Sequence, residues 1–582
     1  MSDVFLGLQW QSLMPELVVC LFALIAPLLA LWDTDRAGMR QFTLIGLGGA
    51  LLMALGSLFK LQFTIPIPKV DIELGMAFPA IGAVAAAAGL FLVMPRGTRK
   101  PSVGATIGGL VLGAFGLLVL YLYFVLGISG IHLGPINFSL LYQGADLGGV
   151  LTITYASQLF KVLFLAVAFV AVLGVGRPLK GKAEEDWGEF CSLIMFATLG
   201  MMVVASAQEL VTLVLGIEMA SMSSYILAGF RRDAAGAEAG LKYFTIGAIS
   251  SGLLLFAVSL VYGIAGTTSI PALAKTVLPA GFDAVSLIPI VLLLAGLGFK
   301  ISSVPFHAWA PDVYAGAPAP VAGLLAAGSK AMGFVAVFNV FVVGLVGVKA
   351  NWQLAVAAIA AASILFGNLV ALQQTSIRRM LAYSSIAQAG YVLIAVAVGS
   401  SGPDVDYPAG TYAIGGGIFH LLTNAAMKLG AFVVVGALLW AGIPDTIDGW
   451  KGLGRRSPLF AFCMTLFLLS MAGLPPLGGF ASKFVLFSSA IDASASAGMG
   501  WLVWLAVVAV VGSAISLYYY LRLIRAMVVE EGEPGRLDAP SGTTMAVVIC
   551  AILVVVMGVW PQPFMDASFK AAASLLKNGF SA

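Results

Sequence analysis

Charge-poor apolar stretches of roughly twenty residues recur along almost the whole chain, and each is long enough to cross about 30 Å of hydrocarbon as a helix. Sixteen are expected, at about 15–32, 41–61, 75–94, 104–131, 155–175, 189–207, 208–229, 240–265, 286–308, 316–344, 353–373, 380–399, 411–440, 459–490, 500–526 and 543–562. Fourteen is the alternative count, because the third and fourth stretches are rich in Ala and Gly and the thirteenth is long enough to kink. With 60% apolar and 10% charged residues, against about a quarter charged in a soluble domain, a soluble fold is excluded. The opening MSDVFLGLQW has no basic region of the kind that begins a cleavable signal, so the first span is expected to stay as an anchor.

Several chemistries are disfavoured at once. Cys20, Cys191, Cys463 and Cys550 fall inside proposed spans, far apart and without a CxxC pair, so they read as small apolar packing residues. The GLGG run at Gly46–Gly49 lies in a span with no preceding strand, which argues against a nucleotide loop. No segment looks able to hold a redox centre. The abundant glycine reads as close helix packing.

Basic residues are biased to alternate loops. Odd loops carry Arg36, Arg40, Arg96, Arg99, Lys100, Arg177, Lys180, Lys182, Arg231, Arg232, Arg378, Arg379, Lys451, Arg455, Arg456, Arg522, Arg525 and Arg536, whereas even loops carry Lys60, Lys69, Lys275 and Lys349. Odd loops are therefore expected on the cytoplasmic side, with both termini opposite. Six lysines remain within spans: Lys161, Lys242, Lys300, Lys330, Lys428 and Lys483. Glu218 is the one acid clearly at mid-span, and Glu209 sits near a helix end. A charge at the bilayer centre costs at least about 2.5 kcal/mol, so such a set demands a reason.

Glu218, in LVLGIEMASMSSY, and Lys242, near the start of the next helix, lie on expected antiparallel neighbours and could approach closely; a structural ion pair is the alternative reading. Lys300 precedes the broken segment GFKISSVPFHAWAPDVYAGAPAP, where Pro305 and Pro311 free backbone groups that need protein or water around them. His307 lies there and can carry a proton or be purely structural. Lys330 follows in mid-helix. A second break, LPPLGGFASKF, places Pro475 and Pro476 before Lys483. Broken spans in corresponding halves point to the site of a repeat-built transporter, and an offset of five spans gives opposite polarity, an inverted repeat. His420 and Lys428 share one face of the span between, about 12 Å apart along its axis.

The strings LGIEMASMSSYILAGFRRD, LKYF, GFKISSVPFHAWAPDVYAGAPAPV, GNLVALQQTSIRRMLAYSSIAQAGY and LPPLGGFASKF closely resemble subunit N of NADH-quinone oxidoreductases, over about residues 150–530. The wider family takes in subunits L and M of that enzyme, Mrp-type cation/proton antiporters and membrane-bound hydrogenase or F420H2 dehydrogenase subunits, which stay open as alternatives. The resemblance implies an all-α integral membrane fold: a fourteen-helix antiporter-like bundle with two inverted five-helix repeats and broken helices, plus two extra N-terminal helices. It divides the chain into N-terminal helices with a two-helix insertion (1–150), a first repeat (151–350), a second (351–530) and a C-terminal loop and helix (531–582).

It further implies a proton relay through Glu218, Lys242, Lys300, Lys330, His420, Lys428 and Lys483, with His307 a candidate. The family often has lysine one turn after the central histidine; here that place is Asn424, and Lys428 comes a turn later. NADH, FMN, iron–sulfur clusters and quinone are implied on companion membrane-complex subunits, with no cofactor on this chain and no nucleic acid among its partners. A static scaffold is disfavoured, because the central lysines outnumber the acids.

The charge bias makes a direct topological prediction. Reporter fusions at Gly97 and at the C-terminus are expected on opposite sides of the membrane, and finding both on one side would overturn the orientation.

Overall fold

The computed structural model describes residues 13–32, 36–58, 62–65, 70–73, 130–133, 136–139, 145–147, 149–175, 187–275, 284–399, 408–496, 500–532 and 540–580. Its helices follow the apolar stretches. They are α1 (Met14–Trp32), α2 (Arg36–Leu58), α3 (Tyr155–Gly174), α4 (Trp187–Ser206), α5 (Leu210–Ala228), α6 (Ala234–Ala265), short α7 (Ile270–Lys275), α8 (Ala284–Ile301) and α9 (Trp309–Gly316). Then come α10 (Ala319–Gly344), α11 (Gln353–Leu372), α12 (Ile377–Gly399), α13 (Pro408–Trp440), α14 (Pro458–Ala472), α15 (Gly478–Ser496), α16 (Val503–Val528), α17 (Ser541–Val559) and α18 (Gln562–Phe580).

Among the described residues, eleven helical segments are long and apolar enough to cross a membrane, and three shorter apolar ones lie at 15–27, 287–301 and 458–472. Fourteen of the sixteen expected spans fall on described helices; the one at 75–94, and that at 104–131 up to residue 129, lie outside the described residues. The expected span 459–490 is two helices, α14 and α15, separated at Gly473–Leu477. Helix α18 was not anticipated. It packs against α13 and α3, and the Ala156 backbone N–H donates to Ser574 Oγ at 2.9 Å.

By contacts the chain divides into two compact units. One comprises 1–27, 35–58 and 142–582, and holds the helical bundle. The other comprises 28–34 and 59–141. Within it, antiparallel strand Gln62–Ile65 pairs with Ile136–Ser139 and Val70–Glu73 with Gly130–Leu133, a nested ribbon.

Local chemistry sets the helix ends. Thr154 and Ser157 form a reciprocal capping box at the start of α3. Asp233 accepts from Gly236 N at the start of α6, which stops at left-handed Gly266. Two runs of five elements then repeat: α4, α5, α6, α8 with α9, and α10; then α11, α12, α13, α14 with α15, and α16. The fourth member is broken in each. A backbone bridge joins Glu209, before α5, to Ser269, after α6; its counterpart joins Ser376, before α12, to Thr446, after α13. An odd number of crossings per run puts these matching bridges at opposite faces, as an inverted repeat requires.

Small residues let the helices approach. A Cβ on Gly200 would lie 2.5 Å from Ala220 N, and one on Gly367 2.7 Å from Ala387 N, so α4–α5 and α11–α12 cross backbone to backbone at corresponding places. The outward faces carry exposed apolar side chains such as Leu215, Ile226, Ile249, Phe256, Val507 and Val510, as a lipid-facing surface requires.

At the second break Gly479 would place a Cβ 1.8 Å from Ser470 O. Gly479→Ala is therefore expected to lower the thermal midpoint of the detergent-solubilised protein by the equivalent of about 1–3 kcal/mol or more. Gly252→Ala, where a Cβ meets nothing within 4 Å, is the matched control; equal midpoints would contradict this packing.

Candidate functional site

Four buried lysines hang from oxygens rather than from carboxylates. Lys300, in the last turn of α8, donates to Ser221 Oγ on α5 at 2.8 Å, and its ammonium lies 5.9 Å from the centre of the Tyr243 ring. Ser221 is one turn from Glu218, so α5 presents carboxylate and hydroxyl on one face. Glu218 is half-buried and accepts a hydrogen bond from Ser251 on α6.

The expected meeting of Glu218 with Lys242 does not occur. Lys242 Nζ lies 2.7 Å from Asp312 Oδ2 and 2.5 Å from Glu238 Oε1, and Asp312 Oδ1 takes Arg379 Nη1 at 2.6 Å. The reason is position: Lys242 lies barely two turns into α6, one turn after Glu238, where α9 brings Asp312 alongside. Lys242 belongs to a partly exposed ionic cluster. Glu218 instead shares α5 with the Ser221 that holds Lys300.

The first break seals its own backbone, as an apolar surrounding demands. Trp309 Nε1 donates to Phe299 O at 3.0 Å, Ser303 N to Gly298 O at 2.9 Å, and Val304 N to Ser363 Oγ at 3.0 Å. His307 packs edge-on against Phe366, with ring centres 4.6 Å apart, and its Nδ1 is buried without a partner. Its ring neighbour is Phe366, not a lysine.

Lys330 opens an α-helical stretch directly after a π-helical turn, Leu325–Ser329, and donates to Ser385 O on α12 at 2.8 Å. Such wide turns inside α-helices often mark functional positions. Lys428, on α13, donates to Leu381 O at 2.9 Å and to Ser384 Oγ at 2.7 Å. Ser384 also bonds Tyr520 on α16. Asn424 points instead to Ala326 O at 3.4 Å, with its Oδ1 unpartnered.

His420 is fully buried one turn before Asn424. Its Nε2 lies 2.9 Å from Gln388 Oε1 on α12 and its Nδ1 2.9 Å from Ser482 Oγ on α15. Lys483 reaches back to the end of α14 and donates to Met471 O at 2.8 Å, Ala472 O at 3.4 Å and Ser513 Oγ at 3.1 Å. Its ammonium also lies 4.6 Å from the centre of the Tyr391 ring. The break leaves the last carbonyls of α14 without helical donors, and that negative helix end is where a cation is best placed. Lys300 precedes its break, whereas Lys483 follows its own.

Helix α12 connects these groups. Leu381, Ser384, Ser385, Gln388 and Tyr391 meet Lys428, Lys330, His420 and Lys483 in turn. Its polar residues at i, i+4 and i+7 were visible in AYSSIAQAGY, yet only the structure shows what they face. The partner of Lys161 was also missed: Glu16 of α1 lies 2.5 Å from its ammonium. Ammonium, imidazole and hydroxyl groups are each able to bind and release a proton. Among the described residues, no group of three or more His, Cys, Asp or Glu is placed to hold a metal ion.

Comparison with known proteins follows the same lines. The profile of the NADH:quinone oxidoreductase/Mrp antiporter transmembrane family matches residues 207–516. F(420)H(2) dehydrogenase subunit N of Methanosarcina mazei is 44% identical over 73% of this chain and 85% of its own length. NADH-quinone oxidoreductase subunit N of Desulforamulus reducens is 40% identical over 80% and 92% respectively. A chain of respiratory complex I from Thermus thermophilus superposes with a TM-score of 0.60 at 32% identity, covering 84% of this chain and 98% of its own. In fold, a chain of an Mrp complex from Dietzia matches with a TM-score of 0.68 at 18% identity, covering 98% of this chain and 100% of its own.

If Lys330 were there for stability, its removal would be costly. It has no carboxylate partner among the described residues and one carbonyl contact, so Lys330→Met relieves the burial of an ammonium. The thermal midpoint of the Lys330→Met protein is expected to equal or exceed that of the wild type; a clear fall would assign the lysine a structural role.

Proposed function

The chain belongs to the NADH:quinone oxidoreductase/Mrp antiporter family of membrane subunits, and from that premise we propose that it is the proton-translocating subunit N of a complex I-type NADH:quinone oxidoreductase. It sits in the inner (plasma) membrane as a non-redox subunit of a translocase. NADH, FMN, iron–sulfur clusters and quinone belong to companion subunits. Quinone reduction there drives proton transfer here, through Glu218, Lys300, Lys330, Lys428, His420 and Lys483, with Lys242 at the edge of the first half.

One observation carries this reading: four buried ammonium groups are held by hydroxyl and carbonyl oxygens, three of them by or beside α12, with no carboxylate in contact among the described residues. A stability device would pair them with acids, since an unpaired buried charge is costly. A lysine held only by neutral oxygens can lose its proton without abandoning a carboxylate, which is what a transfer station needs. Glu218 would bias the first station, Lys300, from the helix whose Ser221 holds that lysine. The 44% identity to an F(420)H(2) dehydrogenase subunit supports a second reading, with a different electron donor in the companion subunits. Mass spectrometry of the co-purified native complex decides between the donors.

Glu218→Gln and Lys300→Ala are expected to lower proton translocation by at least about tenfold while the complex still assembles. Normal pumping in both assembled variants rejects the relay. Lys483 is the outlet-side station of the second half, so Lys483→Ala is expected to impair pumping more than Lys428→Ala. The reverse order, measured with both complexes assembled, would route the outlet along α13 instead.

A further inference from the structure

His420 is enclosed by two partners that cannot play the same part. On one side, Gln388 Nε2 lies 3.2 Å from Met471 O. A backbone carbonyl only accepts, so the amide nitrogen must face it, and Gln388 Oε1 is left towards His420 Nε2 at 2.9 Å. An amide oxygen also only accepts. Nε2 therefore carries a hydrogen whether the ring is neutral or charged.

On the other side, Ser482 Oγ lies 2.9 Å from His420 Nδ1, 3.1 Å from Thr423 Oγ1 and 3.2 Å from Gly479 O. Thr423 spends its own hydroxyl hydrogen on His420 O at 3.0 Å. Ser482 has one hydrogen and more than one place to send it. When the ring is neutral, Ser482 donates to Nδ1. When the ring is an imidazolium, Nδ1 donates to Ser482 Oγ and the serine hydrogen turns to Gly479 O.

We propose that Ser482 is the hydroxyl through which His420 takes up and releases its proton, and that Gln388 is a positioning residue that closes the opposite side of the ring to exchange. This deepens the relay proposed above and rests on it for its role in pumping. The step balances: a hydrated proton adds to Ser482 Oγ as that hydroxyl gives its hydrogen to Nδ1, so imidazole becomes imidazolium and the serine is unchanged. The charged and titratable groups facing the site are Lys483, whose ammonium shares Met471 O with Gln388, Tyr391, whose ring centre lies 6.3 Å from that of His420, and Tyr520, whose hydroxyl meets the Gln388 side chain. Lys483 and Gln388 thus share one carbonyl, so loss of the lysine's bond is felt by the amide that orients the histidine.

The chain has three histidines, which makes the ring directly observable. In the full-length protein labelled with 15N-histidine, solid-state NMR is expected to show neutral His420 protonated on Nε2, its signals assigned by their loss in His420→Gln. Gln388→Leu is expected to give a mixture of both neutral tautomers. In the assembled complex, Ser482→Ala is expected to lose proton translocation and Ser482→Thr, which keeps a hydroxyl, to retain it. A wild-type ring protonated on Nδ1, an unchanged tautomer in Gln388→Leu, full pumping by Ser482→Ala, or a Ser482→Thr complex as inactive as Ser482→Ala each overturns the proposal. The tautomer measurement needs no pumping, so a wild-type complex that moves no protons would refute the function proposed above without touching the assignment of the ring.

Discussion

An ammonium group buried in a helical bundle must find oxygen, and for two of the four central lysines that oxygen comes from one helix. Lys330 and Lys428 are both held by α12, through Ser385 O, Leu381 O and Ser384 Oγ, and His420 through Gln388. These carbonyls already serve the helix, so each offers a spare lone pair instead of an unmet need. Lys483 differs: the carbonyls it holds belong to the interrupted end of α14, where the helix itself leaves acceptors over. The break is thus the feature that makes a place for this lysine. Its backbone crowding, with Gly479 pressed on Ser470, is what brings α15 close enough to fill it.

The two halves use one plan with different chemistry. The breaks, the close glycine crossings and the paired backbone bridges correspond element by element. The charges do not. The first half holds Lys300 before its break, by a serine one turn from Glu218, and it adds the outlying cluster of Glu238, Lys242 and Asp312, which Arg379 of α12 joins. The second half holds Lys483 after its break, with no acid against it among the described residues. A repeated scaffold under the same packing rules can keep its backbone while its polar cargo drifts, because close backbone crossings tolerate few residue types.

Much of this was legible in the sequence, for a physical reason. Length and apolarity are read residue by residue, so fourteen of the sixteen expected spans fall on described helices, and Pro305 and Pro475 mark the two breaks. Partner choice was less legible. Glu218 and Lys242 sit on adjacent antiparallel helices, and sequence spacing alone cannot see that α9 brings Asp312 against Lys242 from seventy residues away. The Lys161 partner, Glu16, lies on a helix separated from it by the whole 59–141 unit. Helix α18 escaped because it is amphipathic and not continuously apolar, so a search for membrane-length stretches passes over it.

Gln388 shows why the polar face of α12 reads as ordinary in sequence yet is decisive in place. Glutamine in an apolar helix is usually a packing or helix–helix hydrogen bond, and here it is that too, since its amide nitrogen meets a carbonyl of α14. That same bond leaves no freedom in the other atom, so the histidine beside it receives a fixed acceptor. A static contact between two helices therefore sets the protonation pattern of a third. In a membrane interior, where each polar atom must be answered, structural and chemical roles fall to the same hydrogen bond.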